Sequence, residues 1–297
     1  MKKILALGGS SYVGKHLVAS LPPEHVLFTY NRSPIEGGVQ FDAASMNLSD
    51  IVIRPDEFSH AVILLGETIP ASCLKDPKKS DEVNVKGIER LLDQLKEWSI
   101  KPIFTSSEYV YDGEQGNSSE TDEAKPILLY GKQKLEVERY LENSGVDSVV
   151  LRLAKIVGSE CGDGSLFSNW LEAFDKTNSL MCARDQTFSP VYVKDVVQSI
   201  LKAIQSDLRG TYNISCSVAY TRLSLLELLV KQIKEVNPNF TLDIETCNIN
   251  DFDLSERSPI DVSMDSSKFS SDAQFQFTSM DVVCKRLVEA KYQTAKA

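Results

Sequence analysis

A series of short apolar runs, alternating for the most part with segments of helical spacing, is the strongest constraint on the fold. Six such runs lie at residues 4–7, 26–30, 39–42, 61–65, 103–106 and 148–153, and the fourth shows no polar alternation. A strand that is apolar on both faces must be covered on both sides, as in a parallel sheet. Repeated strand–helix units with right-handed crossovers give a doubly wound sheet. The sequence therefore predicts an α/β fold built on a doubly wound parallel sheet of the Rossmann type.

The regular alternation weakens after residue 153, although further helices and one more strand, at 211–214, are indicated. We therefore expect two parts. Residues 1–155 form a dinucleotide-binding domain to which residues 187–215 return, and residues 156–186 and 216–297 form a smaller C-terminal α/β substrate-binding lobe. Helical spacing is indicated at residues 12–21, 83–98, 127–141, 166–174, 191–204, 223–236 and 280–290.

Composition narrows the class of partner. The net charge of −10 argues against a protein that binds nucleic acid through a basic face. No run approaches the ~20 apolar residues of a membrane span, and the short apolar N-terminus indicates a strand, not a signal peptide. The six cysteines have no paired spacing and the three histidines are scattered. We expect a cytoplasmic protein with reduced thiols, a small-molecule partner and no metal site.

The segment from Gly8 to Gly14 joins the first predicted strand to the first predicted helix. In that setting backbone N–H groups and the helix N-terminus can hold a pyrophosphate, although a plain turn has the same appearance. Ser11 occupies the place of the usual middle glycine, so its hydroxyl either donates to the phosphate or weakens binding. The residues expected to contact the cofactor here are Gly8, Ser10, Ser11, Tyr12, Val13 and Gly14.

The ends of the next strands indicate which cofactor is bound. An NAD site prefers an acidic residue about 20 positions after the glycines, whereas this chain has Asn31, Arg32 and Ser33. Arg32 and Ser33 suit a 2′-phosphate, so NADP(H) is favoured over NAD(H). Asp42 is a weaker candidate for the adenine amino group. Leu65 and Gly66, after the fourth strand, are expected near the nicotinamide half.

Tyr130 and Lys134 lie four positions apart within a predicted helix and therefore share one face. A tyrosine hydroxyl with a cation beside it is suited to general acid/base catalysis of a carbonyl or alcohol redox reaction. Ser107 follows the fifth strand, at the sheet edge where ligands bind in doubly wound folds. Its hydroxyl can hold a substrate carbonyl while Tyr130 supplies a proton.

A serine followed by this tyrosine and lysine resembles the extended short-chain dehydrogenase/reductases. The segments SSEYVYDG at 106–113 and LYGKQKLEVE at 129–138 resemble the dTDP-4-dehydrorhamnose reductase (sugar-nucleotide-binding) group. This resemblance implies that Ser107 binds a 4-keto oxygen, with Glu108 where the group often has aspartate. It also implies that Tyr130 is the general acid, and that Lys134 binds the nicotinamide ribose and lowers the Tyr130 pKa. Asn84 would support the site.

The departures from that group concern the substrate. Lys155 and Val157 stand where an aromatic pair is usual, and Glu67 stands where small residues are usual. We therefore expect NADPH-dependent reduction of a keto group on a nucleotide-linked sugar other than dTDP-4-dehydrorhamnose. A nucleotide-sugar epimerase or dehydratase, and a non-catalytic cofactor-binding regulatory subunit, remain open as alternatives. The resemblance also suggests a homodimer formed through residues 83–98 and 127–141.

Overall fold

The computed structural model describes residues 2–293, so Met1 and the last four residues of the predicted lobe lie outside it. A seven-stranded parallel sheet forms its centre, in the order β11-β6-β5-β4-β1-β2-β3. The predicted fold class is thereby confirmed. The strands of this sheet are β1 Lys3–Leu7, β2 Val26–Tyr30, β3 Val39–Gln40, β4 Phe58–Ile63, β5 Lys101–Ser107, β6 Val149–Leu153 and β11 Gly210–Ile214.

Helices cover both faces of the sheet. Along β1, Ile4 and Ala6 belong to one buried cluster, while Leu5 and Leu7 belong to another on the opposite face. This double burial explains why the strand is apolar throughout. The helices are α1 Tyr12–Ala19, α2 Pro70–Lys75, α3 Pro77–Asp81, α4 Gly87–Glu97, α5 Leu129–Ser144, α6 Leu166–Phe174, α7 Val193–Gln205, α8 Arg222–Val236, α9 Ser267–Asp272 and α10 Met280–Gln293.

The C-terminal part adds three small two-stranded sheets. Pairing joins β7 to β10, β9 to β12 and β8 to β13. The larger of the two buried clusters runs from β1 to α10, so one apolar core spans both parts of the chain. The added strands are β7 Ile156–Val157, β8 Ser179–Ala183, β9 Thr187–Phe188, β10 Val191–Tyr192, β12 Tyr220–Thr221 and β13 Asp243–Cys247.

Some element boundaries differ from the sequence expectations. The helix expected from residue 191 begins at Val193, because Val191–Tyr192 pairs with β7. The helix expected at 83–98 opens with a π-helical turn over Glu82–Lys86 before α4. Helices α2 and α3 carry no long apolar pattern and were not expected. Within residues 2–293, no helix has the length and apolar character needed to span a bilayer.

A buried ion pair fixes α5 against the sheet. Arg152 on β6 donates to Glu138 on α5, with Nη2 2.6 Å from Oε2. The Ser106 hydroxyl on β5 donates to the other oxygen of the same carboxylate. Arg152 also donates to the Tyr111 hydroxyl at 2.8 Å, which anchors the segment that follows β5. The two strands and the helix therefore hold one register relative to each other.

Glu138→Gln should lower the free energy of unfolding by about 3–5 kcal/mol, because it leaves the buried Arg152 guanidinium without a counter-charge. Denaturant unfolding followed by circular dichroism measures the loss. The matched control is Glu142→Gln, one turn further along α5 and exposed, which should change stability by less than about 0.5 kcal/mol. Equal losses in the two variants would show that the pair does not anchor α5.

Candidate active site

The turn after β1 has the tight geometry that a dinucleotide loop needs. Gly8 has φ +96°, and a Cβ there would lie 2.9 Å from the Leu64 carbonyl carbon. A Cβ on Gly14 would lie 2.2 Å from the Gly8 carbonyl oxygen, so α1 packs directly on the turn. Neither contact is sterically tolerable, so both positions require glycine. Ser11 caps α1, its Oγ accepting from the Gly14 amide at 3.1 Å.

A cavity of about 620 Å³ opens beside this turn, a volume typical of small-molecule sites. Of the fifteen residues expected to contact the cofactor, nine line this cavity and six do not. The lining residues are Gly8, Ser10, Ser11, Asn31, Arg32, Ser33, Asp42, Leu65 and Gly66; the others are Tyr12, Val13, Gly14, Asn84, Tyr130 and Lys134.

Tyr12 and Val13 have other contacts. The Tyr12 hydroxyl donates to Asp163 at 2.8 Å, and burial followed by that contact raises the pKa of the phenol. Val13 is buried in the larger apolar cluster. Their side chains therefore join α1 to the rest of the protein, and toward a cofactor these residues offer only the backbone N–H groups of the first helical turn.

The residues expected to discriminate between NADP(H) and NAD(H) lie in the cavity wall after β2. Asn31, Arg32 and Ser33 are exposed at the cavity. Asp42 accepts from the Ala44 amide at 3.0 Å through Oδ1. The same cavity is also lined by Lys75 and Lys79, from α2 and α3, together with Ser72, Asp76 and Ser80. These contributions were missed because no strand or glycine signal marks the segment.

Asn84 holds the loop that follows β4. Its Oδ1 accepts from the Glu67 amide at 2.7 Å, and its Nδ2 donates to the Glu67 carbonyl at 3.0 Å and to Gln133 on α5 at 2.9 Å. Gly66 approaches so closely that a Cβ would lie 2.9 Å from Asn84 Oδ1. The Glu67 carboxylate accepts from the Ile69 amide at 3.1 Å, so this unexpected residue stabilises the loop. Asn84 therefore connects the cavity wall to the helix that carries Tyr130.

Ser107, Tyr130 and Lys134 are all buried at the carboxyl end of β5. Burial raises the pKa of Tyr130, the nearby Cys73 thiol acts in the same direction, and hydrogen bonding to Ser107 opposes them. The Lys134 ammonium donates to the Thr105 carbonyl at 2.8 Å and lies 5.7 Å from the Tyr130 ring centroid. The expected lowering of the Tyr130 pKa by Lys134 is thus not seen, and Tyr130 stays protonated, the form that a general acid requires.

Burial lowers the Lys134 pKa to about 8, and the charge of Glu138 opposes that change. The carboxylate that anchors α5 therefore also helps to keep Lys134 charged near neutral pH. Lys134 in turn supports the end of β5 through its bond to Thr105.

Residues 1–292 match the RmlD substrate binding domain. The chain belongs to this family. The predicted resemblance is confirmed, and the expected class, NAD(P)-dependent enzymes of the extended short-chain dehydrogenase/reductase type, is confirmed at the level of the family.

Its relatives have more than one named function. A Haloferax volcanii protein named probable low-salt glycan biosynthesis reductase Agl14 is 28% identical over 153 residues, 50% of this chain and 51% of that protein. The chain thus spans about half the length of this relative. The Sinorhizobium fredii dTDP-4-dehydrorhamnose reductase is 24% identical, over 72% of this chain and 73% of its own. Xenopus tropicalis methionine adenosyltransferase 2 subunit beta is 28% identical, over 62% and 56%.

Solved structures share the fold. The Bacillus anthracis dTDP-4-dehydrorhamnose reductase in complex with NADP superposes with a TM-score of 0.78, covering 96% of this chain and 98% of its own, at 17% identity. At that identity the likeness establishes the architecture alone.

Glu108 directly follows Ser107 and is 3% exposed. Its Oε2 accepts from the Lys155 amide at 3.0 Å. Burial raises the Glu108 pKa to about 7, while that hydrogen bond and the charges of Lys155 and Arg222 oppose the rise. The carboxyl group can therefore hold or release a proton near neutral pH.

Replacing Glu108 by Gln should change how stability depends on pH. Between the ordinary pKa of 4.5 and the folded-state value of about 7, the folded protein keeps a proton that the unfolded chain releases. The stabilisation that the bound proton provides is complete below pH 4.5 and is lost as the pH rises through about 7.

The stability of wild type relative to Glu108→Gln should therefore fall between pH 4.5 and pH 7, by about 3 kcal/mol at most. Denaturant unfolding across that range measures it. The exposed nearby residue offers the control variant Glu114→Gln, whose difference from wild type should be flat. A flat difference for Glu108→Gln as well would contradict the raised pKa.

Proposed function

We propose that this protein is an NADPH-dependent reductase of a keto group on a nucleotide-linked sugar. The observation that carries the proposal is the convergence of two features at one sheet edge. A cavity with the glycine turn of a dinucleotide site runs to Gly66, and Asn84 joins that position to the helix bearing Tyr130 and Lys134. The cavity volume and its tight glycine contacts fit an extended dinucleotide.

In this proposal the bound cofactor supplies the hydride, since no side chain can do so. The Ser107 hydroxyl donates to the keto oxygen and orients it. Tyr130, kept protonated by burial, gives its proton to that oxygen as the alcohol forms. Lys134 holds the nicotinamide ribose and places its charge near the phenolate that is left. Ser11 keeps its hydroxyl proton available for a phosphate, because Oγ acts as the acceptor in the helix cap.

The NADPH preference rests on Arg32 at the exposed end of the cavity. A guanidinium can bind the 2′-phosphate with two parallel hydrogen bonds, whereas NADH has only a hydroxyl there. The relative solved with NADP supports this choice for the family. Lys75 and Lys79 provide cations along the same cavity and can offset the charge of the pyrophosphate that both cofactors share.

Two alternatives keep specific support. Glu108, buried beside Ser107 with a pKa near 7, is the additional acid or base that an epimerase or dehydratase needs. The similarity to methionine adenosyltransferase 2 subunit beta keeps a non-catalytic regulatory subunit open. The presence of Ser107, Tyr130 and Lys134 together favours catalysis. Location in the cytoplasm remains a prediction.

The predicted homodimer also remains a prediction. It would use the outward faces of α4 and α5, where Glu89 lies close to Glu136 and Asp93. Burial and then these acidic neighbours raise the Glu89 pKa. Two copies meeting through this face would have to bring cations opposite those carboxylates.

Tyr130→Phe should lower the turnover of nucleotide-sugar ketones about 10²-fold or more, because it removes the proton donor. The dissociation constant for NADPH, followed by cofactor fluorescence, should change by less than about threefold, since Tyr130 does not line the cavity. The matched control is Tyr140→Phe on the same helix, whose hydroxyl contacts Asp93. Equal turnover by Tyr130→Phe and wild type would remove Tyr130 from the mechanism.

Arg32→Ala should weaken NADPH by about tenfold or more and NADH by less than about twofold, because only NADPH carries the 2′-phosphate. Titrating both cofactors into each variant measures the ratio. Lys79→Ala serves as the control for a lost cation in the same cavity, and should weaken both cofactors by one common factor. If Lys79→Ala changes the ratio of NADPH to NADH affinity and Arg32→Ala does not, then Lys79 and not Arg32 determines the preference for NADPH.

A further inference from the structure

Two cations that the proposed chemistry does not use lie beside Glu108. Lys155 follows β6, and Arg222 begins α8. The charges of both act on Glu108, and the charge of Arg222 acts on Lys155. Residues far apart in the sequence therefore lie near Glu108, the neighbour of Ser107, and the Lys155 amide contacts the Glu108 carboxylate directly.

The two residues are held in different ways. The Lys155 backbone amide donates to Glu108 Oε2, which fixes the base of a side chain that is exposed to solvent. Arg222 is bound twice to one partner, its Nε donating to Gln186 Oε1 at 3.0 Å and its amide to the Gln186 carbonyl at 2.8 Å. Gln186 in turn donates to the Ser258 hydroxyl at 3.3 Å. A positioned guanidinium loses little freedom when an anion binds it.

Neither cation is neutralised. Among residues 2–293, no carboxylate oxygen lies within 4 Å of the Lys155 ammonium or the Arg222 guanidinium. The negative charge of Glu108 acts on Lys155, and this carboxyl group is only partly ionised near pH 7. Desolvation comes first and the Arg222 charge second among the causes that lower the Lys155 pKa, and the second is the repulsion between two cations. A bound anion would relieve this repulsion.

The cation pair is also close to the reacting group. Ser107 and Glu108 are consecutive, and the next residue, Tyr109, packs edge-on against Tyr130 with ring centroids 6.4 Å apart. The charges of Glu108 and Arg222 both act on the Tyr109 phenol. One aromatic side chain therefore lies between the proposed proton donor, Tyr130, and the charges of Glu108 and Arg222.

We propose that Lys155 and Arg222 form a subsite for a carboxylate on the sugar itself, so that the substrate class is an acidic, uronate-type nucleotide sugar. This inference rests on the proposed function. A carboxylate at the sugar ring would lie beside the carbon that reacts, where the two cations are placed. The substrate's own diphosphate is the other source of negative charge, and the test separates the two.

The experiment measures binding to the NADPH-loaded protein by calorimetry. The ligands are UDP-glucuronate, UDP-glucose, their dTDP counterparts, and UDP and dTDP alone. Each uronate and its neutral partner differ only at the carboxylate, so their affinity ratio isolates it. The variants are Lys155→Gln and Arg222→Gln, with Lys155→Arg to restore the charge. Lys285→Gln on the exposed side of α10 is the control.

Wild type should bind one uronate about tenfold or more tightly than its neutral partner. Lys155→Gln and Arg222→Gln should each reduce that ratio to about twofold or less, with binding of the nucleotide alone unchanged, and Lys155→Arg should restore most of it. Lys285→Gln should match wild type. Unchanged thermal unfolding of each variant shows that the loss is local.

Three results would overturn the inference. Equal binding of the uronate and neutral sugars by wild type would leave the proposed reductase in place with a neutral substrate. Equal weakening of both sugars and of the bare nucleotide in the variants would assign the cations to the diphosphate. Binding of none of the six ligands by an NADPH-loaded protein would refute the nucleotide-sugar function, and the inference with it.

Discussion

The buried pair of Glu138 and Arg152 is the interaction on which the geometry of the site depends. A carboxylate and a guanidinium removed from water are stable only when their hydrogen bonds are met, and here Ser106 and Tyr111 meet them. Glu138 is one turn beyond Lys134, while Ser106 directly precedes Ser107. The contact therefore sets how far α5 can slide along β5. The separation of Tyr130 from Ser107 follows from that register, and the charge of Glu138 also supports the ammonium of Lys134.

The parallel sheet brings the other residues of the candidate site to one edge. The glycine turn follows β1, Arg32 follows β2, Gly66 follows β4 and Ser107 ends β5, so all of them lie at carboxyl ends of strands. Asn84, within the π-helical turn before α4, ties the β4 loop to Gln133 on α5. A π-helical turn contains one more residue than an α-helical turn, which changes the direction of the side chains. Asn84 lies in such a turn and contacts the backbone of Glu67 in the loop.

Positively charged side chains are concentrated at the proposed ligand sites although the net charge of the protein is −10. Arg32, Lys75 and Lys79 line the cavity, and Lys155 and Arg222 lie beside Glu108. An acidic protein can bind an anionic ligand when a few cations converge at a recess, because the ligand responds to the local field and not to the net charge. The resemblance predicts an aromatic side chain at the position of Lys155, and this difference is the reason for proposing a different substrate.

The α/β fold could be read from the sequence alone, because the periodicity of strands and helices is local. The family followed from the motifs that carry the resemblance, whereas the requirement for glycine at position 8 depends on a contact with Leu64. The sequence also predicted that Tyr130 and Lys134 share a helix face, since a four-residue spacing suffices. Most of the strands and helices of the first half were predicted within a few residues, while α2 and α3 were missed because they are short and polar. Three features needed the folded chain: the raised pKa of Tyr130, the anchoring of Glu67 by Asn84, and the placement of Lys155 and Arg222 where the charges of both act on Glu108. Each depends on burial or on contacts between residues far apart in the chain, and no local pattern encodes them.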